Sequence, residues 1–240
     1  MVLVDGRPHG DEHGRMSGPV EPAPFADRTE AGRLLGVALE SFREARPVVL
    51  GMARGGVPVA AAVARHLNAP LDVLVVRKVG APGHPEFAIG ALTTGILRID
   101  EPTVERLGVS RGQIDDIVTE ETRELVRRQA AYRQGRAPIM VEGRTVIVVD
   151  DGLATGLSAR VAVDAGRGLG AGQVVFAAPV CAPGAAERLG LRPEEVTCAM
   201  VPDDFYAVGA YYKDFRQTGD AEVIALLADA DRRLGSAGAT

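Results

Sequence analysis

Arg144-Thr-Val-Ile-Val-Val-Asp-Asp-Gly-Leu-Ala-Thr-Gly-Leu-Ser158 is the stretch from which the rest of the chain can be read. Val146 to Val149 is an unbroken β-branched run, the pattern of a strand covered on both faces inside a parallel sheet. Two adjacent carboxylates, Asp150 and Asp151, end it, and a glycine-containing loop then opens a helix near Gly156. From Gly152 to Ser158 there is no basic side chain. The segment offers backbone N–H groups, two hydroxyls and a helix N-terminus, a phosphate cradle made of main-chain donors and the helix dipole. Acids beside an anion site make sense when the ligand is a sugar phosphate. Asp150 and Asp151 can accept hydrogen bonds from vicinal hydroxyls, or hold Mg²⁺ directly or through water. The stretch therefore suits a ribose 5-phosphate. A strand ending in a polar turn is the plainer reading of Asp-Asp-Gly alone, and the hydroxyls and second glycine at this spacing argue against it.

On both sides the chain alternates strand and helix. Asp27 with Glu30 forms a capping box for a helix whose apolar stripe runs through Leu34, Leu35, Ala38, Leu39 and Phe42. Pro47 to Gly51 is a short buried strand, followed by Met52-Ala-Arg-Gly-Gly56 and a helix from Val57 to Leu67 with Pro58 in its first turn. Leu71 to Val76 is a strand ending at Arg77-Lys78. Gly80, Pro82, Gly83 and Pro85 make Val79 to Gly95 a mobile loop, with a weak strand pair at Phe87 to Leu92 and Ile96 to Ile99. A long helix covers Ser110 to Tyr132, with Glu124 and Arg128 paired on its solvated face. Beyond the central stretch come strands at Val174 to Val180 and Val196 to Val201, a helix at Pro183 to Leu189, and a last helix from Ala221 to Leu234. This order implies an α/β fold with a doubly wound, mostly parallel sheet. Its ligand should lie beyond the carboxyl ends of the strands, where the loops at 52–56, 77–95, 150–158 and 202–206 would converge. The expected domain is 25–234. Residues 1–24 read as a disordered lead-in, in which His9 and His13 make an improbable metal site, and 235–240 as a disordered tail.

Bulk properties narrow the partners. The chain has 240 residues, 46% hydrophobic and 25% charged, with a formal net charge of -5, so it lacks the basic footprint of a nucleic-acid-binding domain. No apolar run approaches membrane-spanning length and no signal peptide is evident, so a soluble cytoplasmic protein is expected. Cys181 and Cys198 sit in apolar runs and are expected to be buried free thiols, consistent with a reducing compartment. Among 27 basic residues only Lys78 and Lys213 are lysines, so a lysine at a strand end departs from the chain's habit.

Val148-Val-Asp-Asp-Gly-Leu-Ala-Thr-Gly-Leu-Ser158 resembles the phosphoribosyl pyrophosphate (PRPP) signature of the type I phosphoribosyltransferases. Arg54-Gly-Gly56, Arg77-Lys78, Pro85-Glu-Phe-Ala-Ile-Gly90 and the segment from Val208 to Phe215 are similar to an uncharacterised bacterial branch of that superfamily. The resemblance spans about 25–234 and implies a small hood over the sheet and a closing loop at 79–95. It implies that Asp150 and Asp151 bind the ribose hydroxyls and Mg²⁺. Gly152, Leu153, Ala154, Thr155, Gly156, Leu157 and Ser158 would then hold the 5-phosphate. Ala53, Arg54, Gly55 and Gly56 would hold the pyrophosphate on a loop that in this superfamily often carries a cis non-proline peptide. Arg77 matches the PRPP-binding pattern too, and Lys78 supplies a compact charge for the leaving group. Phe205, with Tyr206 beside it, matches the aromatic that stacks on the base in 6-oxopurine transferases, or else it fills the core. Roles for Glu86 and His84 stay open.

The implied reaction is transfer of the 5-phosphoribosyl group from PRPP to a nitrogen acceptor, such as a nucleobase, with release of pyrophosphate. Ala154 stands where oxopurine enzymes carry an acid, which counts against hypoxanthine or guanine. The alternative is a non-catalytic sensor of PRPP or a nucleotide on the same fold. Relatives are often homodimers, which is the assembly the resemblance implies.

Overall fold

The structure, a computed structural model, describes residues 25–237. The expected lead-in and its histidines lie outside that range. Five strands, β1 (Val48–Ala53), β2 (Leu71–Val75), β6 (Thr145–Val149), β7 (Gln173–Val180) and β8 (Val196–Met200), form one parallel sheet in the order β2-β1-β6-β7-β8. The chain leaves β1 towards one edge and returns at β6 to build the other edge. The switch in direction therefore falls between β1 and β6, where Val48 pairs with Val146 and Gly51 with Val149. An open α/β sheet has its crevice at that point.

Period-two alternation divides the strands between two cores. Val49, Ile147, Val149 and Val175 face α1 (Arg28–Ala38), α2 (Gly56–Leu67), α4 (Arg111–Arg133) and α7 (Asp220–Ala237). Val48, Leu50, Val146, Val148 and Phe176 face α5 (Leu157–Gly168) and α6 (Ala185–Leu189). Both faces of the central strand are thus covered, which is why its sequence is continuously apolar. Asp27 caps α1 by accepting from the Glu30 N–H at 2.8 Å, and Ser110 and Gln113 form a reciprocal capping box on α4. Glu124 accepts from Arg128 at 2.6 Å, the pair expected on that helix. α7 continues to Ala237, three residues into the stretch read as a tail.

Three local expectations change. The segment read as a mobile loop is an antiparallel meander of β3 (Arg77–Ala81), β4 (His84–Thr93) and β5 (Ile96–Ile99), packed against α4 and α5. Its glycines mark turns rather than a loop: Gly83 and Gly95, both at φ 74°, sit in the two hairpin connections. The expected strand pair is its second half, and a short helix the sequence did not suggest, α3 (Glu101–Leu107), follows it. The cysteines are not free thiols. Cys181 and Cys198 form a disulfide with Cα atoms 6.0 Å apart. They are separated by 17 residues and carry no spacing signal, and the pairing of β7 with β8 brings them together. The expectation of a reducing compartment loses its support with them. No helix among the described residues is long and apolar enough to cross a membrane.

Candidate active site

The site is assembled at the carboxyl ends of β1 and β6. Asp150 leaves β6 with its N–H bonded to Ala177 O at 3.1 Å, and its Oδ1 accepts from the Asp151 N–H at 2.9 Å. The loop after β1 lies directly on this pair. A Cβ added to Gly55 would stand 2.1 Å from Asp151 Oδ2, and one on Gly56 would stand 2.6 Å from Val149 O and 2.9 Å from Asp150 Cα. Only a residue without a side chain fits either place. The Ala53–Arg54 peptide between β1 and this turn is cis.

Beyond the acids, Gly156 at φ 87° turns the chain into α5, and no side chain caps that helix among the described residues. Thr155 is exposed, and Leu157 and Ser158 are half-buried at the same end. Gly152 packs under Val208. Leu153 does not belong with the phosphate donors. Its N–H bonds Val180 O at 2.9 Å, its carbonyl accepts from Ala182 N–H at 2.8 Å, and its side chain is buried. It fastens the loop to the end of β7, leaving Ala154, Thr155 and the α5 N-terminus to project.

Electrostatics single out the acid pair. Burial, and then the neighbouring Asp151 carboxylate, push the Asp150 carboxyl up to about 8. Burial also raises Asp151, opposed by Arg28 and by Lys78. Lys78 is exposed on β3, makes no ion pair among the described residues, and acts on both acids through its charge. Its neighbour Arg77 is directed elsewhere, because adjacent strand residues face opposite ways: its Nε bonds Glu121 on α4 at 2.6 Å. Arg54 reaches back to Asp220 at 3.4 Å, and the Tyr132 hydroxyl donates to the same carboxylate oxygen at 2.8 Å. The aromatic pair also divides. Phe205 stacks on Tyr211 with ring centroids 5.8 Å apart and packs against the buried cluster of Phe25, Ala31, Val180 and Tyr212, whereas Tyr206 is 91% exposed.

One participant had no signal in the sequence. Arg28, in the first turn of α1, donates from Nε and a terminal nitrogen to Asp151 Oδ2 at 2.9 and 2.8 Å. It lies 123 residues from its partner, and nothing local in either segment announces the contact.

The oxygens left for a metal are few. Asp151 Oδ2 is taken by Arg28 and Asp150 Oδ1 by an amide, and no group of three or more His, Cys, Asp or Glu able to hold a metal occurs among the described residues. Two carboxylates in a row fit Mg²⁺, which is commonly bound by one or two carboxylates and completes its shell with substrate oxygens and water. They do not form an all-protein cage.

The model of the phosphoribosyl transferase domain matches residues 28–212, which include both loops and both acids. The chain belongs to the phosphoribosyl transferase domain family. A Mycobacterium tuberculosis protein named "putative phosphoribosyl transferase", known from two strains, is 42% identical over 216 residues. That alignment covers 90% of this chain and 49% of the relative, so the chain spans about half the length of the curated relatives it matches. The solved structure of TT1426 from Thermus thermophilus is 44% identical, with a TM-score of 0.71 over 85% of this chain and 98% of that one. Family and fold thus agree with the reading of Val146 to Ser158.

Proposed function

We propose that this phosphoribosyl transferase domain transfers the 5-phosphoribosyl group of PRPP to a nitrogen acceptor and releases pyrophosphate. The observation that carries the reading is the seating of the Gly55–Gly56 turn on Asp150 and Asp151, next to the uncapped N-terminus of α5. A donor with a phosphate at one end and a pyrophosphate at the other needs two anion sites flanking a diol site. The two glycine turns flank the acids in that order. The α5 N-terminus with Thr155 and Ser158 would take the 5-phosphate, and the amides of Arg54 to Gly56 with Lys78 the pyrophosphate.

In the reaction a nitrogen lone pair forms the new bond to C1, the C1–O bond breaks, and its electron pair leaves with pyrophosphate. The proton displaced from the nitrogen passes to solvent or to the leaving group. The transition state carries positive charge on the sugar, so the chain contributes by positioning and by charge. Mg²⁺ held by Asp150 and Asp151 would neutralise donor oxygens. The acids would hold the ribose hydroxyls in place, Lys78 would stabilise the departing charge, and Tyr206, the exposed aromatic, is the residue available to stack on a planar acceptor. Phe205 keeps its packing role. The lack of an acid at Ala154 favours acceptors other than 6-oxopurines.

The test is labelled PRPP with Mg²⁺ and a panel of nucleobases and amines, following pyrophosphate release. Release with at least one acceptor, abolished in Asp151→Asn, is the expected result. Binding of PRPP without release above that control for any acceptor would move the protein to the sensor reading.

A further inference from the structure

The segment Val208-Gly-Ala-Tyr-Tyr-Lys-Asp-Phe215 stands out in the sequence, yet none of the donor-binding roles above uses it. Its packing is directed at one target. The Val208 side chain closes over Gly152, where an added Cβ would come within 2.4 Å of it. The Tyr212 hydroxyl donates to the Asp151 carbonyl at 2.6 Å. Gly209 makes room for Phe215, whose ring lies 4.0 Å from the Arg28 guanidinium carbon. The residues before Arg28 join the same assembly. Phe25 N–H bonds Tyr211 O at 3.2 Å, Lys213 N–H bonds Phe25 O at 2.9 Å, and the rings of Phe25 and Tyr212 are 5.4 Å apart.

Arg28 is thereby constrained on three sides. One edge bonds Asp151 Oδ2, the opposite nitrogen donates to Arg216 O at 2.8 Å, and the flat face lies on Phe215. We propose that Arg28, locked by residues 208–216, is the positioning residue of the site: it fixes Asp151 through Oδ2 and leaves Oδ1 to receive a ribose hydroxyl. This inference rests on the donor reading given above. A planar guanidinium can bond along its edges and stack on its face at once, which a lysine ammonium cannot do. The side chains of Arg28 and Asp151 are only 11% and 17% exposed, so water cannot readily replace either partner. The lock bonds Asp151 directly and meets the pyrophosphate side only by packing at Gly55, where an added Cβ would lie 3.4 Å from Arg28 Nε. Its loss should therefore separate two ligands that share the rest of the pocket.

The experiment is calorimetric titration of wild type and Arg28→Ala with ribose 5-phosphate and, separately, with pyrophosphate, each with and without millimolar guanidinium chloride against equal sodium chloride. Expected is a loss of ribose 5-phosphate affinity of about tenfold or more, since a shift of about 1 Å in a positioning group is felt strongly. Pyrophosphate affinity should change less than twofold, and guanidinium should recover the sugar phosphate alone. Unchanged sugar-phosphate affinity, equal loss for both ligands, or no recovery overturns the proposal. Should Arg28→Ala not fold, Phe215→Leu keeps the ion pair and removes its platform. It should weaken the sugar phosphate and spare pyrophosphate, and equal effects overturn the lock. If wild type binds neither ligand, the donor reading fails and the positioning role fails with it. Guanidinium then raises the Tm of Arg28→Ala and not of wild type if the lock around Asp151 exists as described.

Discussion

Gly55→Ala tests the geometry of the site without requiring any knowledge of the acceptor. Gly55 lies at φ -60° and ψ -34°, a conformation every residue adopts, so alanine there carries no backbone strain. Its cost is space alone. The added methyl would sit 2.1 Å from Asp151 Oδ2 and 2.9 Å from Asp151 Cγ, with Arg28 Nε at 3.4 Å. Carbon–oxygen contacts settle near about 3.3 Å, so about 1.2 Å has to be recovered by moving one side or the other. Asp151 is held by Arg28 at its carboxylate and by Tyr212 at its carbonyl, so the movement must break one of these or lift the 53–56 turn. Overpacking of this kind costs about 2 kcal/mol. For a domain of this size that lowers the Tm by about 4–8 °C. Ribose 5-phosphate affinity should fall by about tenfold or more because the carboxylate is displaced. Thermal denaturation and calorimetric titration read the two effects. Gly112→Ala is the control: it lies in the first turn of α4 with nothing within 4 Å of an added Cβ, and it should raise stability by about 0.5–1 kcal/mol. A Gly55→Ala protein that melts with wild type and binds the sugar phosphate equally well would refute the placement of this turn on the acids.

Further outcomes follow from the charges and the disulfide. Asp150 is raised from an ordinary 3.8 to about 8, so the native state keeps a proton that the unfolded chain releases, and stability falls as pH rises from about 4 to about 8. Asp150→Asn should flatten that dependence in denaturant titrations across the range, and Mg²⁺ should raise the Tm of wild type more at pH 8 than at pH 6 but not that of the variant. Cys181 and Cys198 close a 17-residue separation, which chain entropy values at about 3 kcal/mol. Reduction should lower the Tm by about 6–12 °C. Alkylation followed by intact-mass measurement should find no free thiol among the described residues before reduction and two after it. Lys78→Ala should weaken PRPP several-fold more than ribose 5-phosphate, and equal losses would remove Lys78 from the pyrophosphate side.

Local sequence was enough for the frame of the molecule because the signals there are local. Val146 to Val149 could only be a doubly covered strand, Gly152 to Ser158 only a turn into a helix, and the alternation of elements required a parallel sheet with its crevice at the strand ends. Composition, however, misread 79–95, where glycine and proline mark the corners of a meander and its bulge as readily as a loop. The position of Leu153 in the motif suggests a phosphate contact, although its amide is committed to β7. Arg77 matches the PRPP-binding pattern in sequence beside Lys78, but strand geometry sends the two to opposite sides and commits Arg77 to Glu121.

The sequence by itself determined the glycine turn into α5, the acid pair and the family to which they belong, since residues adjacent in the chain make them. Tertiary structure decided which groups meet those acids. Arg28, Gly55, Lys78 and Tyr212 come from four separate segments, and only the ordering of β1 beside β6 and the docking of residues 208–216 on 25–28 bring them to Asp150 and Asp151. The same is true of Cys181 and Cys198, which meet because two strands lie side by side. Spacing along a chain encodes contacts within one turn, whereas contacts across a sheet depend on strand order, which no local pattern records.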